Sequence, residues 1–241
     1  YSSDLVHAFL MDNYTIGMHE QEFYEINIIT RGNGMHYINN NLVPAKEGDV
    51  FIIPPKVGHG YVGGQGFDVF HVILSDAFMN KYIADLQQLP SFFTLFGAEP
   101  LMRGKTSYPL HLTLSQETLK PTLNILVEIS RYNNFSNYAE CIVRNNLAMA
   151  SIGLLCNAYT TSDTKPDFSF SEERALMESI SYIHERYFKK ITIDDLLQIA
   201  HMSRTVYIQK FKDICKMSPA AYINKTRIES ASVMLANTSM S

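Results

Sequence analysis

Apolar residues alternate with polar ones early in the chain and recur at helical intervals later. EFYEINIIT (22–30) alternates and is rich in β-branched and aromatic types, and RGNG (31–34) then supplies a turn signal. MHYIN (35–39) reads as a strand, NNN (39–41) as a second turn, and EGDVFIIPP (47–55) as turn, strand and stop. FDVFHVIL (67–74) is a further short strand. Short strands with turns at this spacing predict a barrel or double-sheet sandwich, and residues 1–110 read as β throughout.

From about residue 117 the period changes. TLKPTLNILVEISRYNN (118–134) places Leu119, Leu123, Leu126 and Ser130 on one helical stripe. NYAECIVRNNLAMASIGLLCNAY (137–159) brings Tyr138, Ile142, Met149, Ile152, Cys156 and Tyr159 near one face, with Val143, Leu147 and Leu154 forming a second apolar face. Two apolar faces suit a helix that touches its own domain and a partner subunit, although burial inside one domain reads the same way. TTSDTKPDFSFS is polar, contains Pro166 and reads as a linker.

Beyond it the helices are well punctuated. Ser169 and Glu172 have capping-box spacing ahead of Leu176, Ile180, Ile183 and Tyr187. Thr192 caps TIDDLLQIA, with Asp194 and Asp195 in its first turn, and Ser203 caps RTVYIQKFKDIC. Ser218 and Pro219 open the last helix. The expected fold is α+β with two domains. Residues 1–116 form a barrel or jelly roll, 117–160 pairing helices, 161–170 a linker and 171–241 an all-α domain.

Composition adds little until it is split by position. A hydrophobic content of 46 % can bury a core, and no apolar run is long enough to span a membrane. The start, YSSDLVHAFL, has neither a signal-peptide pattern nor a Met, so the chain is read as trimmed at its front. Cys141, Cys156 and Cys215 are odd in number and lack C-x-x-C spacing, which suits a reducing cytoplasm. The net charge of −4 hides an asymmetry. Residues 1–110 carry six Lys/Arg against eleven Asp/Glu, whereas 201–241 carry six against two. One end therefore suits a polyanion and the other does not.

In TIDDLLQIAHMSRTVYIQKFK, two short helices flank the tight turn AHMS, and Tyr207, Phe211 and Ile214 face Leu196, Leu197 and Ile199. This is helix-turn-helix spacing, although a plain helical hairpin has the same period. The solvent side then carries Arg204, Thr205, Ile208, Gln209 and Lys212. Gln209 can pair with adenine, Thr205 and Ile208 can touch a thymine methyl, and Arg204 and Lys212 suit phosphates. Through I-DDLLQIA, MSR, FK, MSP, YI, RI and A-ML, about fifty residues resemble the first half of the AraC/XylS-type DNA-binding domain. The resemblance implies double-stranded DNA as partner and two motifs joined by a long helix. Lys216 stands where that family usually has a glycine, which predicts strain at this corner. The chain stops at LANTSMS, where a second motif is expected; the stop is read as truncation or disorder, with a natural single-motif protein as the alternative.

The first part resembles the cupin-like sensor domain of the same family, through HEQEFYEINIITRGNGMHYI and EGDVFIIPPKVGHGY. In metal-binding cupins these half-motifs supply histidines and a glutamate. Here His19, Glu25 and His59 match and Gln21 replaces a histidine, with 19, 21, 23 and 25 on one side of a regular strand. The resemblance therefore implies an effector pocket of His19, Gln21, Glu25, Tyr37, His59 and His71, with Tyr14, Phe23 and Phe51 as further lining.

The expected protein is a bacterial ligand-responsive DNA-binding transcription regulator: cytoplasmic, homodimeric, not an enzyme, and without cofactor or membrane partner. Its effector is a small molecule, with carbohydrate a candidate, and RNA polymerase is a candidate partner. The alternative is a metal-dependent cupin enzyme or metal sensor using His19, Glu25 and His59. A third reading is a DNA-binding regulator whose barrel only dimerises.

Overall fold

The computed structural model describes residues 6–38, 41–89, 91–103, 111–161 and 172–237. Strands β1 (Val6–Met11), β8 (Asp68–Leu74), β3 (Tyr24–Arg31), β6 (Asp49–Ile53) and β9 (Leu112–Thr113) form one sheet in that order. Strands β2 (Ile16–His19), β7 (His59–Val62), β4 (Asn33–Ile38) and β5 (Asn41–Lys46) form the other. Every pairing is antiparallel. Strand β5 escapes the sequence reading because of Pro44, which the sheet accommodates on an edge strand where one backbone donor can be spared. The RGNG turn forms as expected. Gly32 has φ +80°, and a Cβ there would lie 2.2 Å from the Gly66 carbonyl oxygen.

Alternation along β3, β6 and β8 divides the larger sheet into two faces. Ile26, Ile28, Val50, Ile52, Val72 and Leu74 form one core with the helices packed outside the barrel. Ile29, Phe51, Ile53 and Val69 face Ile38, Val43, Ala45 and Tyr61 of the second sheet across the lumen. Because both faces are covered, β3 and β6 lack the polar alternation of a half-exposed strand.

The reading of 1–110 as wholly β is corrected after Leu74. Helix α1 (Asp76–Leu86) follows, with the Ser75 hydroxyl accepting from the Phe78 amide. A π-helical turn (Thr94–Ala98) and helix α2 (Glu99–Met102) come next.

Helices α3 (Gln116–Arg131) and α4 (Tyr138–Thr161) appear where expected, but their buried rows differ. In α3 the row is Leu119, Thr122, Leu126 and Ile129, so Ser130 lies off it. In the first half of α4, Cys141, Arg144 and Asn145 are buried, whereas Tyr138, Ile142 and Val143 are 57, 45 and 41 % exposed. Arg144 is accommodated by a 4.6 Å cation–π contact with Phe135 and by donation to the Asn145 side chain.

The last four helices are α5 (Glu172–Arg186), α6 (Ile193–Ala200), α7 (Arg204–Cys215) and α8 (Pro219–Asn237). The expected Ser169 cap and nearly all of the linker lie outside the described residues. Leu176, Ile180, Ile183 and Tyr187 are buried as expected. Thr192 and Asp195 form a reciprocal capping box at α6. Ser203 occupies the N-cap of α7 without a side-chain capping bond. The buried row of α7 is Tyr207, Phe211 and Cys215, with Ile214 only partly buried. Lys216 closes α7 in the left-handed region at φ 58°, the strained corner that the sequence predicts. Ala98 and Met102 join the core of these helices, so α2 is shared between the barrel side and the C-terminal body.

Candidate functional site

The regular-strand expectation for residues 19–25 fails. His19 ends β2 in one sheet and Glu25 lies in β3 of the other, and the chain between them crosses from sheet to sheet. The crossing still brings the expected residues together. His19 pairs with His59 across β2 and β7, with ring centroids 4.3 Å apart. Glu25 extends from the opposite sheet, its Oε2 3.2 Å from His59 Nε2 and its Oε1 2.6 Å from His71 Nδ1.

Donor atoms of His19, Glu25 and His59 all lie within 4.8 Å of one another. His19 Nδ1 lies 3.0 Å from the Gly17 carbonyl oxygen and His59 Nδ1 3.3 Å from that of Val57. In both cases the partner is the carbonyl two residues earlier. With Nδ1 donating to a carbonyl, Nε2 of His59 faces a carboxylate. The other imidazole tautomer, or a cation shared with Glu25, would satisfy that contact. Burial pushes the Glu25 carboxyl upward, but hydrogen bonds from His59 and His71, with their charges, outweigh it and hold the group at about 2.

Gln21 is buried with both amide atoms unpaired. Tyr37 is corrected: it points out of the barrel, 37 % exposed, because His36 and Ile38 take the inward parity of β4. His36 stacks on Tyr61 at 4.5 Å, and burial, then the charges of Arg103, His59 and His111, hold it well below the usual histidine range. Asn27 donates to the Tyr61 hydroxyl at 3.1 Å. Tyr14 meets the edge of His71, and burial with the nearby Glu25 charge pushes its phenol up to about 12. Among the described residues, Asn27 Oδ1, both ring nitrogens of His36, His71 Nε2, His111 Nδ1 and Arg103 Nη1 are buried without a partner. Unpaired buried polar atoms are uncommon, and here they concentrate inside one barrel.

At the other end of the chain, α6 and α7 pack across His201–Ser203, with His201 in the left-handed region at φ 49°. Arg204, Thr205, Gln209 and Lys212 are exposed, whereas Ile208 is half-buried against the core. Arg204, Ile208 and Lys212 line a groove of about 400 Å³ with Ile193 and Pro219. Thr205 and Gln209 occupy the neighbouring stripe, and the Gln209 amide donates to Asp213 at 3.0 Å. Arg204 lies 3.8 Å from Asp194.

The sequence reading missed His36, Asn27, Tyr61, Arg103 and His111. His36 and Tyr61 sit inside quoted strands or half-motifs, where choosing the opposite parity would have found His36. Arg103 follows a helix that was not anticipated.

Residues 3–136 match the family described as the AraC-like ligand binding domain. The HTH-type transcriptional regulator YdeC of Bacillus subtilis is 21 % identical over 226 residues, covering 92 % of this chain and 74 % of that protein. The HTH-type transcriptional activator RhaR of Escherichia coli is 23 % identical over 242 residues, covering 98 % of this chain and 80 % of its own. A cupin superfamily protein from Desulfitobacterium hafniense aligns with TM-score 0.28 and 20 % identity, over 32 % of this chain and 72 % of that one.

Proposed function

The chain belongs to the AraC-like ligand binding domain family, and from that premise we propose that it is a ligand-responsive, DNA-binding transcription regulator and not an enzyme. The observation that carries this reading is the coexistence of a polar lumen with an exposed helix face carrying Arg204, Thr205, Gln209 and Lys212. The HTH-type regulators to which the chain is similar support it across most of its length.

The effector occupies the lumen between the two sheets, against Gln21, Glu25, His59 and His71. The unpaired groups there mix donors and acceptors, which suits neutral hydroxyls and makes a carbohydrate the favoured class. Helix α7 enters the major groove, Gln209 and Thr205 read bases, and Arg204 and Lys212 hold phosphates. The exposed Tyr138, Ile142 and Val143 of α4 form part of a homodimer contact. Among the described residues no helix is long and apolar enough to cross a membrane, and a cytoplasmic location belongs to the same reading.

The test is selection of the full chain on randomised duplex DNA, followed by affinity measurements with and without a panel of neutral monosaccharides. A selected sequence whose affinity changes with one sugar is the expected result. Equal binding to all sequences, unmoved by any sugar, would overturn the reading.

A second reading is favoured by one observation, the anchoring of His19 and His59 through Nδ1 so that each Nε2 remains for a ligand. Two imidazoles and a carboxylate fit a divalent transition metal, which would supply Lewis acidity to a bound oxygen. Gln21 is a poor fourth ligand. Elemental analysis of the wild type against His59→Ala decides it: near one equivalent of metal, lost in the variant, would establish this reading.

A further inference from the structure

Arg103 is 2 % exposed, yet no strand or long helix holds it. Its Nε donates to Glu99 Oε1 at 2.8 Å, and Nη2 donates to the other oxygen of Glu99 and to the Ile52 carbonyl at 2.9 Å. The guanidinium lies 5.2 Å over the ring of Phe51, which faces the lumen. That ring also contacts His36 at 4.5 Å and His111 at 4.6 Å. Arg103 Nη1, both nitrogens of His36 and Nδ1 of His111 are buried and unpaired. They form a polar station around Phe51, which adjoins the Glu25–His59–His71 cluster where His36 lies 6.0 Å from the ring of His59.

The chain preceding Arg103 leads to the C-terminal body. Met102 and Ala98 lie fully buried in the core containing Leu176, Ile180, Tyr207 and Phe211. Thr94 and Ser181 share a 2.7 Å hydroxyl contact, and Phe93 stacks on His184 at 4.8 Å. Glu99 and Arg103 are four residues apart, so the grip on Arg103 comes from the helix whose next residues enter that core.

We propose that Arg103 is an effector-contacting group that links the lumen to the DNA-reading helices through α2. This rests on the effector reading above for what occupies the lumen. Nη1 can only donate, whereas His111, whose Nε2 lies 3.3 Å from Asp49, offers Nδ1 as an acceptor. A hydroxyl can accept from the one or donate to the other. Glu99 already balances the guanidinium, so a neutral guest fits better than a carboxylate, which would add an unbalanced buried charge. A guest bonded to Nη1 holds the same guanidinium that Glu99 and Ile52 hold through Nε and Nη2, and so favours one setting of α2 over another.

Hydrogen exchange by mass spectrometry on the full chain tests the link without knowledge of the effector. His36→Gln disturbs the station while keeping a donor and an acceptor. In the wild-type background it should change exchange in peptides covering 94–102, 176–183 and 207–215 by about fivefold or more. With Glu99 and Arg103 both replaced by Met, which leaves no orphan charge, the change should fall below about twofold, given that coupled sites typically show ~5–150-fold effects. Equal responses in the two backgrounds, or none beyond residue 176 in the wild type, would overturn the link. Should the double variant fail to fold, Arg103→Lys keeps the charge and loses the fork; an undiminished His36→Gln response in it overturns the link equally. A thermal-shift panel of neutral monosaccharides on the wild type separates the two readings. Stabilisation without exchange coupling removes the link alone, and coupling without stabilisation by any sugar upholds the link and removes the carbohydrate assignment.

Discussion

Replacing Lys216 by glycine should stabilise the protein. Lys216 sits at φ 58°, and its amide donates to the Lys212 carbonyl at 2.9 Å, closing α7 in a left-handed cap. A residue with a Cβ loses about 1–2 kcal/mol in this region. Glycine avoids that cost but gains freedom in the unfolded chain, which returns about 0.4–1 kcal/mol. The side chain is exposed, so its removal forfeits little packing. The net expectation is a gain of about 0.5–1 kcal/mol, or roughly 1–4 °C in Tm for a chain of this size.

Lys216→Ala is the decisive control, because it removes the same charge while keeping the Cβ. Urea unfolding followed by circular dichroism should show a higher midpoint for the glycine variant, an unchanged slope, and little change for alanine. If alanine raised the midpoint as much as glycine, the gain would come from removing a charge, and the backbone reasoning would be refuted. Both variants should lose DNA affinity equally if the lysine acts only as a nearby charge.

Three further outcomes are expected. Gln209→Ala should change which base is preferred at one operator position, whereas Lys212→Ala should weaken all sequences alike and flatten the salt dependence; anisotropy titrations at several salt concentrations distinguish them. Glu25 is held at about 2 when folded against an ordinary value of 4.5, so it contributes stability above pH 4.5 that is lost as pH falls toward 2. The stability difference between wild type and Glu25→Gln should therefore shrink by about 3 kcal/mol across that window in acid-titrated urea unfolding, and a pH-independent difference would contradict the assignment. Ile142→Glu, at a site already 45 % exposed, should leave folding intact and convert a dimer to a monomer by sedimentation velocity; an unchanged dimer would remove α4 from the interface.

Elements with strong local chemistry were legible in the sequence. The N-cap at Thr192, the proline after Ser218 and the turn at Gly32 act within a few residues, so local pattern determines them. The misread elements are those in which tertiary burial overrides pattern. Arg144 and Asn145 are buried while Ile142 and Val143 are exposed, because a cation–π contact and a side-chain hydrogen bond make the polar face tolerable inside. No periodicity count anticipates a guanidinium replacing an aliphatic side chain. Helix α1 was different: Phe78, Tyr82, Ile83 and Leu86 follow helical spacing behind Ser75, so its signal was present within a segment read as β.

The barrel site shows where a sequence pattern stops being sufficient. His19, Glu25 and His59 were placed together correctly, although the regular strand invoked for them is broken and the contact is made between sheets. Tyr37 and His36 reverse the expected order for a physical reason. The outer face of the smaller sheet carries Met18, Tyr37, Leu42 and Val62, all exposed, so hydrophobicity favours neither parity of MHYIN. What fixes the parity is the lumen, where His36 stacks on Tyr61 and contacts Phe51. Arg103 was beyond reach for a related reason. Its partners are Glu99, one turn away, and the carbonyl of Ile52, about fifty positions earlier, so its inward position depends on how α2 meets β6. Residues recognised by type and spacing thus account for the Glu25 end of the lumen. The residues that could connect a guest to the DNA-reading helices are defined only by the packing between the two bodies.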